Sequence, residues 1–181
     1  MMSLQFSQPS SHHKQKTAIQ MNRRLIIEQI AELATRQGKM LATAESCTGG
    51  GIAKALTEVP GSSAWFTCGL ITYSNQAKQQ LLGVSATSLT EQGAVSEAVV
   101  CEMVKGACLQ GAADLAVAVS GVAGPDGGTP EKPVGCVWLA WGDASQQWAQ
   151  RMQYQGDRRT IREQTINTAL QGLLDALQKT A

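Results

Sequence analysis

Apolar residues recur at helical spacing from Asn22 to Gln37, where Ile26, Ile30 and Leu33 share one face and Gly38 supplies a stop, so the spacing predicts an amphipathic helix there. A short apolar run, Met40 to Ala44, reads as a strand, and Ile52 to Thr57 as a helix ended by Pro60 and Gly61. Aromatic and β-branched residues mark a second strand from Trp65 to Tyr73, followed by a short helix from Asn75 to Leu82 that Gly83 stops. Ser96 is placed to cap a helix running to Gln110, with Val100, Met103, Val104 and Ala107 as its stripe. The continuous apolar run Leu115 to Val119 predicts a strand covered on both faces. Val134 to Trp141 and Gln147 to Tyr154 flank Gly142 to Ser145 as the arms of a hairpin, the second arm alternating as an edge strand does. Asp157 then caps a last helix with Ile166, Leu170, Leu173 and Leu177 on one stripe.

Strands that alternate with helices and end in a hairpin predict an α/β fold, a three-layer α/β/α sandwich of about five strands. Right-handed crossovers make the first three strands parallel. If the second and third flank the first, the chain reverses beside it, where open sheets bind ligands at the carboxyl ends of their strands. Residues 1–20 are rich in Gln and Ser, contain Pro9 and show no apolar period; they predict a disordered tail ahead of one domain over 21–181. The tail has neither a signal-peptide core nor the arginine pattern of a transit peptide, and no segment is long and apolar enough for a membrane.

The composition narrows the chemistry. A net charge of +1, from 15 basic and 14 acidic residues without a basic block, argues against nucleic acid as a partner. Five cysteines with no C-x-x-C pair argue against a disulfide framework or a zinc site, and for a reducing, cytoplasmic compartment. His12 and His13 are the only histidines, both in the tail. With that tail apart from the core, Ser-His and Cys-His catalysis and histidine-ligated metals are excluded, leaving Lys, Tyr, Asp or Glu as the base. No metal and no cofactor are expected.

Three segments leave the predicted strand ends with chemistry to offer. In the first, Glu45, Ser46, Cys47, Thr48, Gly49 and Gly50 form a strand-to-helix turn whose backbone N–H groups can hold an anion or oxyanion beside Ser46. The same residues also suit a plain helix cap, with Ser46 or Thr48 accepting a backbone N–H. Cys47 is a rival nucleophile, because a helix N-terminus lowers a thiol's pKa, but only one of two neighbours can face the cleft. In the second segment, Tyr73 and Asn75 precede Lys78, about one turn into the helix, so Tyr73 and Lys78 can lean over one edge. A lysine is a base only when neutral, which desolvation between strand ends can achieve; the alternative is a solvated helix lysine. In the third, Ser120, Gly121, Gly124 and Gly127 lie in a glycine-rich loop that can form an anion nest near Lys132, or simply enter the hairpin. Arg158, Arg159 and Arg162 open the last helix, where one of them can clamp a phosphate or all can face water.

Taken together, Thr43-Ala-Glu-Ser-Cys-Thr-Gly-Gly50, Thr72-Tyr-Ser-Asn75 with Lys78, Gly93-Ala-Val-Ser96, and the loop Ser120 to Gly128 with Lys132-Pro-Val-Gly135 resemble the CinA C-terminal domain family. The resemblance runs from about Arg23 to the C-terminus and is closest to the family's stand-alone nicotinamide-mononucleotide (NMN) amidases. It implies a five-stranded mixed sheet of order 2-1-3-4-5 with strand 4 antiparallel. It also implies hydrolysis of NMN to nicotinate mononucleotide and ammonia in pyridine-nucleotide recycling, with Ser46 as nucleophile and Tyr73 and Lys78 as its activating partners. A homo-oligomer, dimer or higher, is implied as well. The metal-dependent pyrophosphatase activity of the longer members' N-terminal domain is not expected here. Substrate contacts are expected from Glu45, Cys47, Thr48, Gly49, Gly50, Asn75, Ser120, Gly121, Gly124 and Gly127. A non-catalytic nucleotide-binding module is the alternative that the glycine loops also allow.

Overall fold

The computed structural model describes residues 11–179, with side chains from residue 21 on. The apolar runs become strands β1 (Leu41–Glu45), β2 (Phe66–Ile71), β3 (Leu115–Gly121), β4 (Cys136–Gly142) and β5 (Gln147–Gln153). The helices are α1 (Ser11–Gln37), α2 (Gly51–Leu56), α3 (Asn75–Leu82), α4 (Ala86–Glu91), α5 (Glu97–Gly111) and α6 (Arg158–Lys179). The strands pair in the order β2-β1-β3-β4-β5, with β2, β1 and β3 parallel and β4 antiparallel to both its neighbours. The five-stranded mixed sheet and the place of β5 at its edge are as the sequence predicts.

The sheet is covered on both sides, and the strands show it in side-chain size more than in polarity. Leu41, Val117, Val119, Val137, Leu139 and Trp141 point to the side covered by α1, α2 and α6. Ala42, Ala44, Ala116, Ala118 and Ala140 point to the other, under α3 and α5. Because strand side chains alternate between faces, large and small residues segregate, and the alanine face lets α5 lie close to the strands. Asp157 caps α6 as expected, its carboxyl oxygen accepting the Thr160 N–H at 2.8 Å. The Thr160 hydrogen bonds lower the Asp157 pKa.

Two boundaries differ from the sequence reading. Helix α1 starts at Ser11, ten or so residues before the periodic stretch. Beyond Pro9 the segment holds no Gly or Pro and carries Lys, Gln and Ala, which propagate a helix without an apolar stripe. The backbone over 11–20 is helical, and the first ten residues of the expected tail lie outside the described residues. Helix α4 was not legible: its six residues have no stripe, and Ser85 and Glu102 anchor it, Ser85 accepting from Thr87 N and Glu102 from Ser85 N and Ser88 Oγ. No helix among the described residues is long and apolar enough to cross a membrane.

Candidate active site

Alternation along β1 decides what each residue of the first turn can do. Ala42 and Ala44 face α3 and α5, so the next residue on that side is Ser46, while Thr43 and Glu45 face α2. Ser46 N donates to Val119 O at 3.1 Å, and Thr72 N donates to Glu45 O at 2.9 Å. Ser46 is thereby held one step beyond the paired ends of β1, between the ends of β3 and β2.

Lys78 comes to Ser46 from the neighbouring α3. Ser74 caps this helix by accepting from Ala77 N, and a turn later the Lys78 side chain folds back over the strand ends. Its Nζ lies 3.0 Å from Ser46 Oγ and donates to the Thr72 carbonyl at 2.8 Å. Only 1% of Lys78 is exposed, and burial lowers its pKa below the usual lysine value. The neighbouring Cys47 thiol does not offset this as a thiolate: burial pushes its pKa up to about 11, so it is protonated at neutral pH. Cys47 packs in the core on the α1, α2 and α6 side. The lowering expected of a thiol at a helix N-terminus is overcome by desolvation.

The helix-cap alternative is also answered, by a residue the sequence did not single out for it. Glu45 is completely buried, and its carboxyl group accepts from Ile52 N at 3.0 Å, Ala53 N at 2.8 Å, Thr48 Oγ1 at 2.7 Å and Thr43 Oγ1 at 3.3 Å. The first turn of α2 is capped from the strand beneath, and Gly50 at its N-cap position makes no side-chain cap bond. Gly49 (φ 59) and Gly50 (φ 90) take the left-handed conformations that bring the chain round, and Arg162 donates to Thr48 O at 2.7 Å from α6. The α2 donors Ile52 and Ala53 are therefore committed to Glu45. The N–H groups of Thr48 and Gly50, in the turn itself, have no acceptor among the described residues. Glu45→Gln should lower stability by about 2–3 kcal/mol, because an amide NH2 would face a cluster of donors; a melting temperature about 5–10 °C lower in a thermal scan checks this.

The remaining predicted residues are divided between exposed and buried positions. Tyr73 is 61% exposed, and its hydroxyl accepts from Arg158 Nη2 at 2.9 Å, with no hydrogen bond to Ser46 or Lys78. Arg158 Nη1 also donates to Gly124 O at 2.9 Å, so the first residue of α6 ties the end of β2 to the glycine loop. Asn75 is exposed at the start of α3; Gly127 is exposed in the loop, and Gly121 ends β3. Ser120 is buried on the Ser46 side of the sheet, following Ala116 and Ala118. Lys132, near the glycine loop in sequence, has its Nζ donating to Gln92 O, which fastens the loop to the segment before Gly93. The structure thus joins Ser46 and Lys78 directly and carries Tyr73 to the mouth. Sequence reasoning missed the Thr72 carbonyl, since a main-chain acceptor leaves no signal in residue type.

A family profile described as the CinA C-terminal domain matches residues 23–177. The chain is 56% identical over 155 residues to a protein of Pseudomonas putida named nicotinamide-nucleotide amidohydrolase PncC, covering 82% of this chain and 97% of that protein. It is 50% identical over 147 residues to the Escherichia coli K12 protein of the same name, covering 81% and 89%. Among solved structures, a competence/damage inducible protein from Agrobacterium tumefaciens superposes with a TM-score of 0.82 at 45% identity, covering 86% of this chain and 95% of that one. A CinA superfamily protein from Klebsiella pneumoniae gives a TM-score of 0.83 at 38% identity, covering 87% and 98%.

Proposed function

This chain belongs to the CinA C-terminal domain family, and we propose that it is an amidase that hydrolyses the carboxamide of NMN to nicotinate mononucleotide and ammonia. The substrate follows the names of the relatives; the chemistry rests on one observation, the 3.0 Å approach of a buried lysine amine to Ser46 Oγ. Neutral Lys78 takes the Ser46 proton as Oγ bonds to the carboxamide carbon and the carbonyl electron pair moves to oxygen. The Thr48 and Gly50 N–H groups are the oxyanion donors, each worth about 3 kcal/mol when well aligned. As the tetrahedral centre collapses, the C–N bond breaks and protonated Lys78 gives its proton to the departing nitrogen, releasing ammonia. Water then attacks the acyl-serine, losing a proton to Lys78, and that proton returns to Ser46 Oγ as the acid leaves.

Tyr73 takes a place at the mouth of the site, with its hydroxyl on Arg158, and the proton transfer falls to Lys78 alone. Arg158 and the glycine loop around Gly124 supply positive charge and backbone donors for the nucleotide's polar end, with Asn75, Gly121 and Gly127 around them. Pyridine-nucleotide recycling, a cytoplasmic location and homo-oligomeric assembly belong to the same proposal. The test is ammonia release from NMN by the purified protein, with nicotinamide and nicotinamide riboside alongside. Turnover of NMN above both is the expected result. Tight NMN binding without ammonia would support a binding module instead.

A further inference from the structure

Two buried side-chain polar atoms among the described residues lack a hydrogen-bond partner, Thr72 Oγ1 and Arg162 Nε. Arg162 already anchors the turn through Thr48 O. Thr72 has no such second use for its side chain, and a buried hydroxyl without a partner is a cost that native proteins rarely carry without reason. Its position suggests the reason. Cys68 and Leu70 of β2 pack against the α3 and α5 side, and alternation puts the Thr72 side chain on that same side, where Lys78 descends from α3. Its backbone is fixed beside Ser46 by the bond to Glu45 O, and its own carbonyl already holds Lys78 Nζ at 2.8 Å.

An ammonium has three N–H donors. In the resting site the Lys78 nitrogen has two hydrogen-bonded oxygen neighbours, Ser46 Oγ and Thr72 O, enough for an amine with two N–H groups but one short for an ammonium. Once the serine proton has moved, the third N–H needs an acceptor, and Lys78 and Thr72 are both buried. We propose that the Thr72 hydroxyl is that acceptor, so that Thr72 is a positioning residue that stabilises the Lys78 ammonium while the tetrahedral intermediate exists. The inference rests on the Ser46 and Lys78 reading above. No bond is made or broken at Thr72; its oxygen receives one hydrogen bond as the proton arrives and releases it as the proton leaves with ammonia.

Among the described residues no fixed charge competes for this role. Glu45 points to the opposite side of β1, Arg158 is engaged with Tyr73 and Gly124, and Cys47 is a neutral thiol at neutral pH. On α5, which packs on α3, Glu102 bonds Ser85 and Ser88 in and before α4, while Glu97 and Lys105 are exposed.

Thr72→Val keeps the shape and removes the oxygen. The expected result is a kcat for NMN about 10–100-fold lower with little change in KM, and a melting temperature equal to or above that of the wild type. Without the acceptor the ammonium is less favoured, so the acid limb of the kcat profile should move about one pH unit lower. Thr72→Ser should restore both. An unchanged kcat and acid limb in Thr72→Val would overturn the inference, as would equal losses in both variants with lowered melting temperatures. NMR titration of the Lys78 ammonium in wild type and Thr72→Val needs no turnover. A lower pKa in the variant supports the inference even if the wild type releases no ammonia from NMN, and an equal pKa overturns it.

Discussion

Ser46→Ala should abolish ammonia release from NMN, lowering kcat by at least about 10⁴-fold while leaving NMN affinity and the melting temperature close to wild type. The size of the effect follows from how few groups can replace the hydroxyl. Among the described residues Ser46 is the one side chain hydrogen-bonded to Lys78 Nζ, and Lys78 is placed to move its proton. Cys47, next in sequence, faces the core on the other side of β1 with its thiol pushed up to about 11, so it presents neither the position nor the thiolate. Fold and binding should survive because the turn is held from beneath by Glu45 and from the side by Arg162, neither of which touches the Ser46 hydroxyl. Calorimetry with NMN on the inactive variant separates binding from turnover. Ammonia release by Ser46→Ala above about one-hundredth of wild type would remove Ser46 as the nucleophile.

Much of this arrangement is legible in the sequence because it depends on periodicity. The period-two alternation of β1 fixes that Ser46 and Glu45 face opposite ways, and the strand-helix alternation with a terminal hairpin fixes which ends converge. Lys78 was within reach of prediction because helix geometry places it a turn above Tyr73. What alternation does not carry is the identity of main-chain partners and the fate of long side chains. Arg158 spans from α6 to both Tyr73 and Gly124, a choice made among three arginines by tertiary distance alone. Lys132 likewise leaves its own loop for Gln92 O. The cap of α2 escaped a local search because capping rules look to the residues just before a helix, whereas Glu45 reaches Ile52 N from the strand, seven residues earlier. The early start of α1 escaped for the complementary reason, since a helix without a stripe has no period to read.

Lys78→Met should give an enzyme that is nearly inactive and more stable than the wild type. Methionine fills the space of the lysine stem without asking for charge, so the packing between α3 and the strand ends is kept. In the unfolded chain the lysine titrates at about 10.4, whereas burial lowers its pKa in the folded protein. Between the lowered value and the unfolded value the unfolded chain binds more protons, so the stability of the wild type falls as pH falls through that window and levels off below it. The variant lacks this penalty. Its melting temperature should exceed that of the wild type at neutral pH, by about 2–4 °C for each kcal/mol relieved, and the two should draw together as pH rises toward the unfolded lysine value. Activity carries the same titration with the opposite consequence: wild-type turnover should fall on the acid side as Lys78 becomes protonated and can no longer accept the serine proton. Residual turnover in Lys78→Met should show no such limb. A variant that keeps the wild-type pH profile, or melts below the wild type at every pH, would mean that the buried amine is neither the base nor a strained group. The stability gain and the activity loss would then need separate causes, whereas a desolvated lysine accounts for both with one physical effect, as expected where catalysis requires a group that folding alone disfavours.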